Sequence, residues 1–147
     1  SGSVDATLSL EPVGSIAVAD DVAKRALTNP AETLIADPFY SGVSLLTTKF
    51  IKERPETAKK VVAVLDEATR LANTQFDKYR PVIADYTPIK KDQMGLVAQP
   101  YLRAWKDIDA TDIHSYQALV NVFEKEGVLK QHMDVKPLIL SNQDFAK

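Results

Sequence analysis

The side chains that could do chemistry are few, and most have a plainer reading in helix geometry. His114 and His132 are the only histidines. They lie far apart and lack H-x-x-x-H or H-E-x-x-H company, so no metal site is expected. Asp107, Asp109 and Asp112 superficially resemble a cation loop but lack its glycine and distal glutamate. They read as acidic residues leading into a helix at Ile113. Tyr101 and Trp105 form an i,i+4 aromatic pair expected in the core, with Arg103 on a different face. Glu124, Lys125 and Glu126 read as a solvated helix end. There is no Ser-His-Asp grouping and no phosphate loop, and 0 cysteines remove thiol nucleophiles, thiolate metal sites and disulfides. No catalytic residue and no cofactor is expected. What stays unexplained is Glu11-Pro12, an acidic residue and a proline where an apolar run turns into a helix.

The elements around that pair read as α/β. Val4-Asp5-Ala6-Thr7-Leu8-Ser9-Leu10 alternates with period two, as a strand does, and Pro12 suits the first turn of a helix. Val13, Ile16, Ala17, Ala23, Ala26 and Leu27 continue at helical spacing, with Asp20/Lys24 and Asp21/Arg25 as i,i+4 pairs. Thr28-Asn29-Pro30 breaks that helix. Glu32–Ala36 is a second short apolar run closed by Asp37-Pro38, and Ser41–Leu46 is a third.

After Thr47 the pattern is helical. Pro55 starts a helix whose expected buried stripe is Ala58, Val61, Leu65, Ala68, Ala72, Phe76 and Tyr79, ending at Pro81. Met94, Val97, Tyr101 and Trp105 suggest another, interrupted near Pro100. A third runs from an N-cap at Thr111 or Asp112 to Gly127 as C′ residue, burying Ile113, Tyr116, Val120 and Phe123. No repeat is present. The expected division is 1–47 and 48–147.

A chain of 147 residues, 45% apolar and 26% charged, can bury one core. Its formal charge of -2 and pI near 5.7 leave no basic footprint for nucleic acid or anionic lipid. The densest apolar run, Val61–Leu65, is far short of a membrane span. With neither an initiator Met nor a signal segment, the chain reads as a mature product, an excised domain or a fragment. Strand, helix, two further strands and then helices alone supply too little sheet for a complete α/β domain, so a segment before Ser1 is expected.

Gly2-Ser3-Val4-Asp5-Ala6 with Glu11-Pro12, then Phe50-Ile51-Lys52-Glu53-Arg54-Pro55-Glu56, then Tyr116-Gln117 with Glu126-Gly127-Val128-Leu129 carry a resemblance. In order and spacing they resemble the landmarks of ABC-importer solute-binding proteins for nitrate, sulfonates, taurine and thiamine-pyrimidine precursors. The resemblance implies a periplasmic-binding-protein-like (type II) two-lobed α/β clamp, of which this chain is the helix-rich C-terminal half. Residues 1–47 would end the second lobe and cross back, and 48–147 would pack on the first. Gly2 fills the first motif position, which makes the opening Ser-Gly native.

The function implied is non-enzymatic capture of a small solute for delivery to a membrane permease. The implied location is periplasmic or extracellular, with a lipid anchor through the missing N-terminal half as one option. In open α/β sheets ligands sit beyond the carboxyl ends of strands, so Ser9, Leu10, Glu11 and Pro12 are the expected ligand-binding residues. N–H groups of the helix's first turn would hold an anionic group, and Glu11 would accept from an amine or ring N–H. Alternatively Glu11 only caps its own helix. Two other functions remain open: a pyrimidine-synthase-like enzyme on the same fold, whose cysteine-rich motif has no counterpart here, and a helical protein-interaction domain.

Overall fold

The computed structural model describes residues 3–86 and 89–145, so Gly2 of the first landmark lies outside the described residues. Among the described residues six α-helices follow in order: α1 (Val13–Ala19), α2 (Pro30–Leu34), α3 (Thr48–Glu53), α4 (Pro55–Thr74), α5 (Phe76–Tyr86) and α6 (Ala110–Lys125), with short 3₁₀ turns between and after them. No strand forms among the described residues, which overturns the α/β two-lobed clamp expected above. The physical reason is the absence of a ladder. Val4–Leu10 and Ser41–Leu46 have the pattern of strands, yet their backbones pair with no other described segment, and period-two alternation cannot make a strand alone. Their apolar side chains stay in water: Leu8 is 80% and Leu45 84% exposed.

The chain divides into two compact units that interleave along the sequence. One is Ser1–Thr28 with Leu71–Leu102, the other Asn29–Arg70 with Arg103–Lys147, so residue 47 falls inside the second. The first unit contains α1, α5 and the 3₁₀ turn Lys91–Leu96, around a small core of Phe76, Met94 and Val97 with Ile89 packed against it. The Arg80 guanidinium lies 5.0 Å over the Phe76 ring. Pro81, expected to end a helix, sits inside α5, and the break comes at Gln75 instead. Tertiary hydrogen bonds move it. Gln99 Nε2 donates to the Asn73 carbonyl at 2.7 Å and Asn73 Nδ2 to the Leu102 carbonyl at 2.8 Å, so a carbonyl in the last turn of α4 is met from outside the helix.

The second unit buries Ala58, Val62, Ala104, Val120 and Val135, with Asp112 and Ser115 among them. Thr47 caps α3 by accepting from the Phe50 N–H at 3.1 Å, and Pro55 opens α4. The inward face of α4 is turned by about one residue from the expected stripe: Ala58 and Val62 are buried while Leu65 is 40% exposed. Asp109, rather than Thr111 or Asp112, is the N-cap of α6, in a reciprocal capping box with Asp112. At the other end Gly127 takes φ 72°, and N–H bonds from Gly127 to the Glu124 carbonyl and from Val128 to the Phe123 carbonyl complete a Schellman motif. Residues 97–104 contain no helix, so Tyr101 and Trp105 are not helical neighbours.

Asp112 is the centre of this unit. It is 1% exposed, and its carboxylate accepts from Tyr40 Oη at 2.5 Å, Arg103 Nε at 2.9 Å and the Asp109 N–H at 2.8 Å. Arg103 also bonds Asp109 at 2.9 Å, and the Tyr40 ring stacks on Tyr116 at 5.0 Å. Burial pushes the Asp112 carboxyl up, but the bonds from Tyr40, Arg103 and Asp109 together with the Arg103 charge outweigh it and hold it below the ordinary aspartate range. A depressed folded value means that the stabilisation is complete above the ordinary pKa and is lost as pH falls through the folded one. Asp112→Ala is expected to cost about 2 to 3 kcal/mol by removing the buried carboxylate that accepts from Arg103 Nε and Tyr40 Oη. Urea titrations from neutral pH to below about pH 4 check this. Wild type should lose stability over that acid range, and the Asp112→Ala curve should be flatter.

Candidate functional site

Ser9, Leu10, Glu11 and Pro12 sit together in the first unit, at the entrance to α1. Pro12 is the N-cap residue, the Val13 N–H bonds the Leu10 carbonyl at 3.1 Å, and the Glu11–Pro12 peptide is cis. Glu11 folds back over the helix it precedes. Its Oε2 accepts from the Ser15 N–H at 3.2 Å, and its Oε1 meets Arg25 Nη2 at 2.8 Å. The same Nη2 donates to Ser15 Oγ at 3.1 Å. A methyl group placed on Gly14 would lie 3.7 Å from Glu11 Oε1 and 3.8 Å from Ser9 Cβ, so both side chains lie over the first turn.

Arg25 joins the corner although its spacing from Asp21 predicts an i,i+4 pair on a helix running to Leu27. The helix ends at Ala19. Asp21 takes φ 55°, its N–H bonds the Val18 carbonyl at 3.1 Å, and the Val22 N–H bonds the Ala17 carbonyl at 3.0 Å. This is a Schellman ending with aspartate where glycine is usual. The reversal turns the following segment back, which is how Arg25 reaches Glu11. Asx residues tolerate the left-handed region better than other L-residues, so a short polar pair, Asp20-Asp21, was the available signal.

Chemically, the corner is a carboxylate held by its own helix and by a guanidinium. Glu11 is held below the ordinary glutamate range, chiefly by its hydrogen bond with Ser15, opposed by partial burial and reinforced by Arg25. The carboxylate occupies the helix start where an anionic ligand was expected. It remains 39% exposed on its side chain, with acceptor capacity for an ammonium or ring N–H. Ser9 and Leu10 are exposed beside it.

Asp109, Asp112, Arg103, His132 and Glu124 have structural partners. Asp109 and Asp112 cap α6, and Arg103 joins them rather than lying on a separate face. His132 Nδ1 lies 3.1 Å from Glu124, which also accepts from the Met133 N–H. Among the described residues no group of three or more His, Asp or Glu could hold a metal ion, and no helix is long and apolar enough to cross a membrane. No protein-family model matches the chain, and no match was found to a curated protein or to a solved structure.

The left-handed Asp21 yields a prediction about how the corner is held. Asp21→Gly should keep it intact and add up to about 1 kcal/mol of stability, whereas Asp21→Val should cost about 1 to 2 kcal/mol. Urea midpoints of the two variants measure the difference, and equal midpoints would remove the Schellman ending from the account.

Proposed function

We propose that this chain is a non-catalytic solute-capturing component of an importer, acting outside the cytoplasm and handing a small solute to a membrane permease. The observation that carries the reading is the Glu11 corner: an exposed carboxylate, oriented by Ser15 and Arg25, at the acidic-Pro position the sequence landmarks mark for ligand. The landmark order along the chain supports it. The two-lobed clamp does not, because the helical architecture removes it. In this reading Ser9, Leu10, Glu11 and Pro12 meet the solute, and the solute class with a donor for Glu11 is an amine or an N–H-bearing ring, taurine-like or pyrimidine-like rather than nitrate-like.

A second reading, a helical protein-interaction domain, is favoured by a different observation. In the second unit Val43, Leu45, Leu65 and Phe123 are exposed apolar side chains, and in the first unit so are Val4, Leu8 and Leu10; exposed apolar side chains of this kind suit a protein partner.

A thermal-shift panel of nitrate, alkyl sulfonates, taurine and aminopyrimidines separates the two. A solute that binds the folded chain alone raises the melting midpoint by mass action, while an interaction domain ignores every small molecule. For the solute that shifts the midpoint, Glu11→Ala should weaken binding roughly ten- to a hundred-fold by calorimetric titration. The accompanying loss of stability should be about 1 kcal/mol or less, because the cap and the Arg25 pair are partly exposed. Unchanged affinity with a lowered midpoint would make Glu11 a cap and nothing more.

A further inference from the structure

In the second unit, one face of α4 and two 3₁₀ turns enclose an open cleft of about 460 Å³. Lys59, Val62, Ala63 and Asp66 supply the helical wall, spaced i, i+3, i+4 and i+7. Trp105, Asn142 and Phe145 complete the lining. The aromatic wall is held in place. Trp105 Nε1 donates to the Leu140 carbonyl at 2.6 Å, its backbone N–H donates to Asp66 Oδ1 at 2.8 Å, and the Phe145 ring meets it edge-on at 6.2 Å.

The charges on the helical wall are opposite and kept apart. Lys59 and Asp66 are two turns from each other, about 10 Å along the helix axis, with Val62 and Ala63 between. Lys59 Nζ reaches Glu56 at 2.8 Å and retains two donors, and the Asp66 carboxylate retains acceptor capacity after bonding Trp105. Trp105 and Phe145 line the same cleft, and aromatic rings attract cations. An apolar trough with an acceptor at one end and a cation at the other recognises one kind of molecule.

We infer that this cleft binds a small zwitterion whose ammonium and carboxylate stand at opposite ends of a flat apolar body, the ammonium at Asp66 and the carboxylate at Lys59. The site uses residues of the second unit alone, so it stands or falls independently of the Glu11 corner.

The chain has 1 tryptophan, so fluorescence reports on this wall specifically. The full chain is titrated with 4-(aminomethyl)benzoate, and separately with benzylamine and with benzoate, each of which lacks one charge. The zwitterion should give a saturable change and bind about ten-fold more tightly than either, the worth of a charged hydrogen bond discounted for partial exposure. Asp66→Asn keeps an oxygen for the Trp105 N–H but loses the charge. It should weaken the zwitterion and benzylamine about ten-fold and leave benzoate unchanged. Lys59→Gln, at an exposed position, should weaken the zwitterion and benzoate about ten-fold and leave benzylamine unchanged, and it keeps the test open should Asp66→Asn unfold. No saturable change at Trp105, equal affinity for the three probes, or the same affinities in the folded variants would each overturn the assignment.

Discussion

Asp112 is the constraint on which the second unit depends. A carboxylate with 1% exposure is tolerable only when its charge is met, and three groups from three places in the chain meet it. Tyr40 comes from the loop after α2, Arg103 from the irregular segment before Trp105, and the Asp109 N–H from the capping box. Each of these has a second tie: Tyr40 stacks on Tyr116, and Arg103 bonds Asp109. The start of α6, the approach to Trp105 and the Tyr40 loop are therefore placed by one buried charge. The burial that lifts the Asp112 carboxyl also lifts the Tyr116 hydroxyl above the ordinary tyrosine value, with the Asp112 charge adding to it.

With the start of α6 set, its middle and far end organise the C-terminal segment. The Gln117 amide accepts from the Val135 N–H and donates to the Met133 carbonyl, both at 3.0 Å, while Glu124 accepts from the Met133 N–H at 2.8 Å. Two side chains thus replace the ladder that a neighbouring strand would provide to residues 133–135. That path leads to the Leu140 carbonyl, the acceptor for Trp105 Nε1, and so to the aromatic wall of the cleft. The cleft is a consequence of how α6 and its tail are tied.

The Glu11 corner follows a different logic, local instead of buried. Its bonds are made between exposed or half-exposed groups, and they link residues 11, 15 and 25 through one left-handed residue. Such a corner contributes little to stability. Its value lies in orientation: a carboxylate fixed on two sides presents its remaining lone pairs in one direction, which suits recognition better than support.

The sequence by itself determined what depends on neighbours along the chain. Pro55 opens a helix, Gly127 closes one through a left-handed residue, Thr47 precedes α3, and Asp109 with Asp112 lead into α6 because caps and turns are satisfied within a few residues. The tertiary structure alone decided everything that needs a distant partner. Val4–Leu10 and Ser41–Leu46 read as strands, but a strand exists only by pairing, and no described segment pairs with them. The buried face of α4 shifted from Leu65 to Val62, because an apolar run such as Val61–Leu65 offers adjacent faces and only the surroundings choose between them. Arg25 reached Glu11, and Arg103 reached Asp112, through chain reversals that the sequence does not announce, since an aspartate stood where glycine would have marked the first and no regular element marked the second.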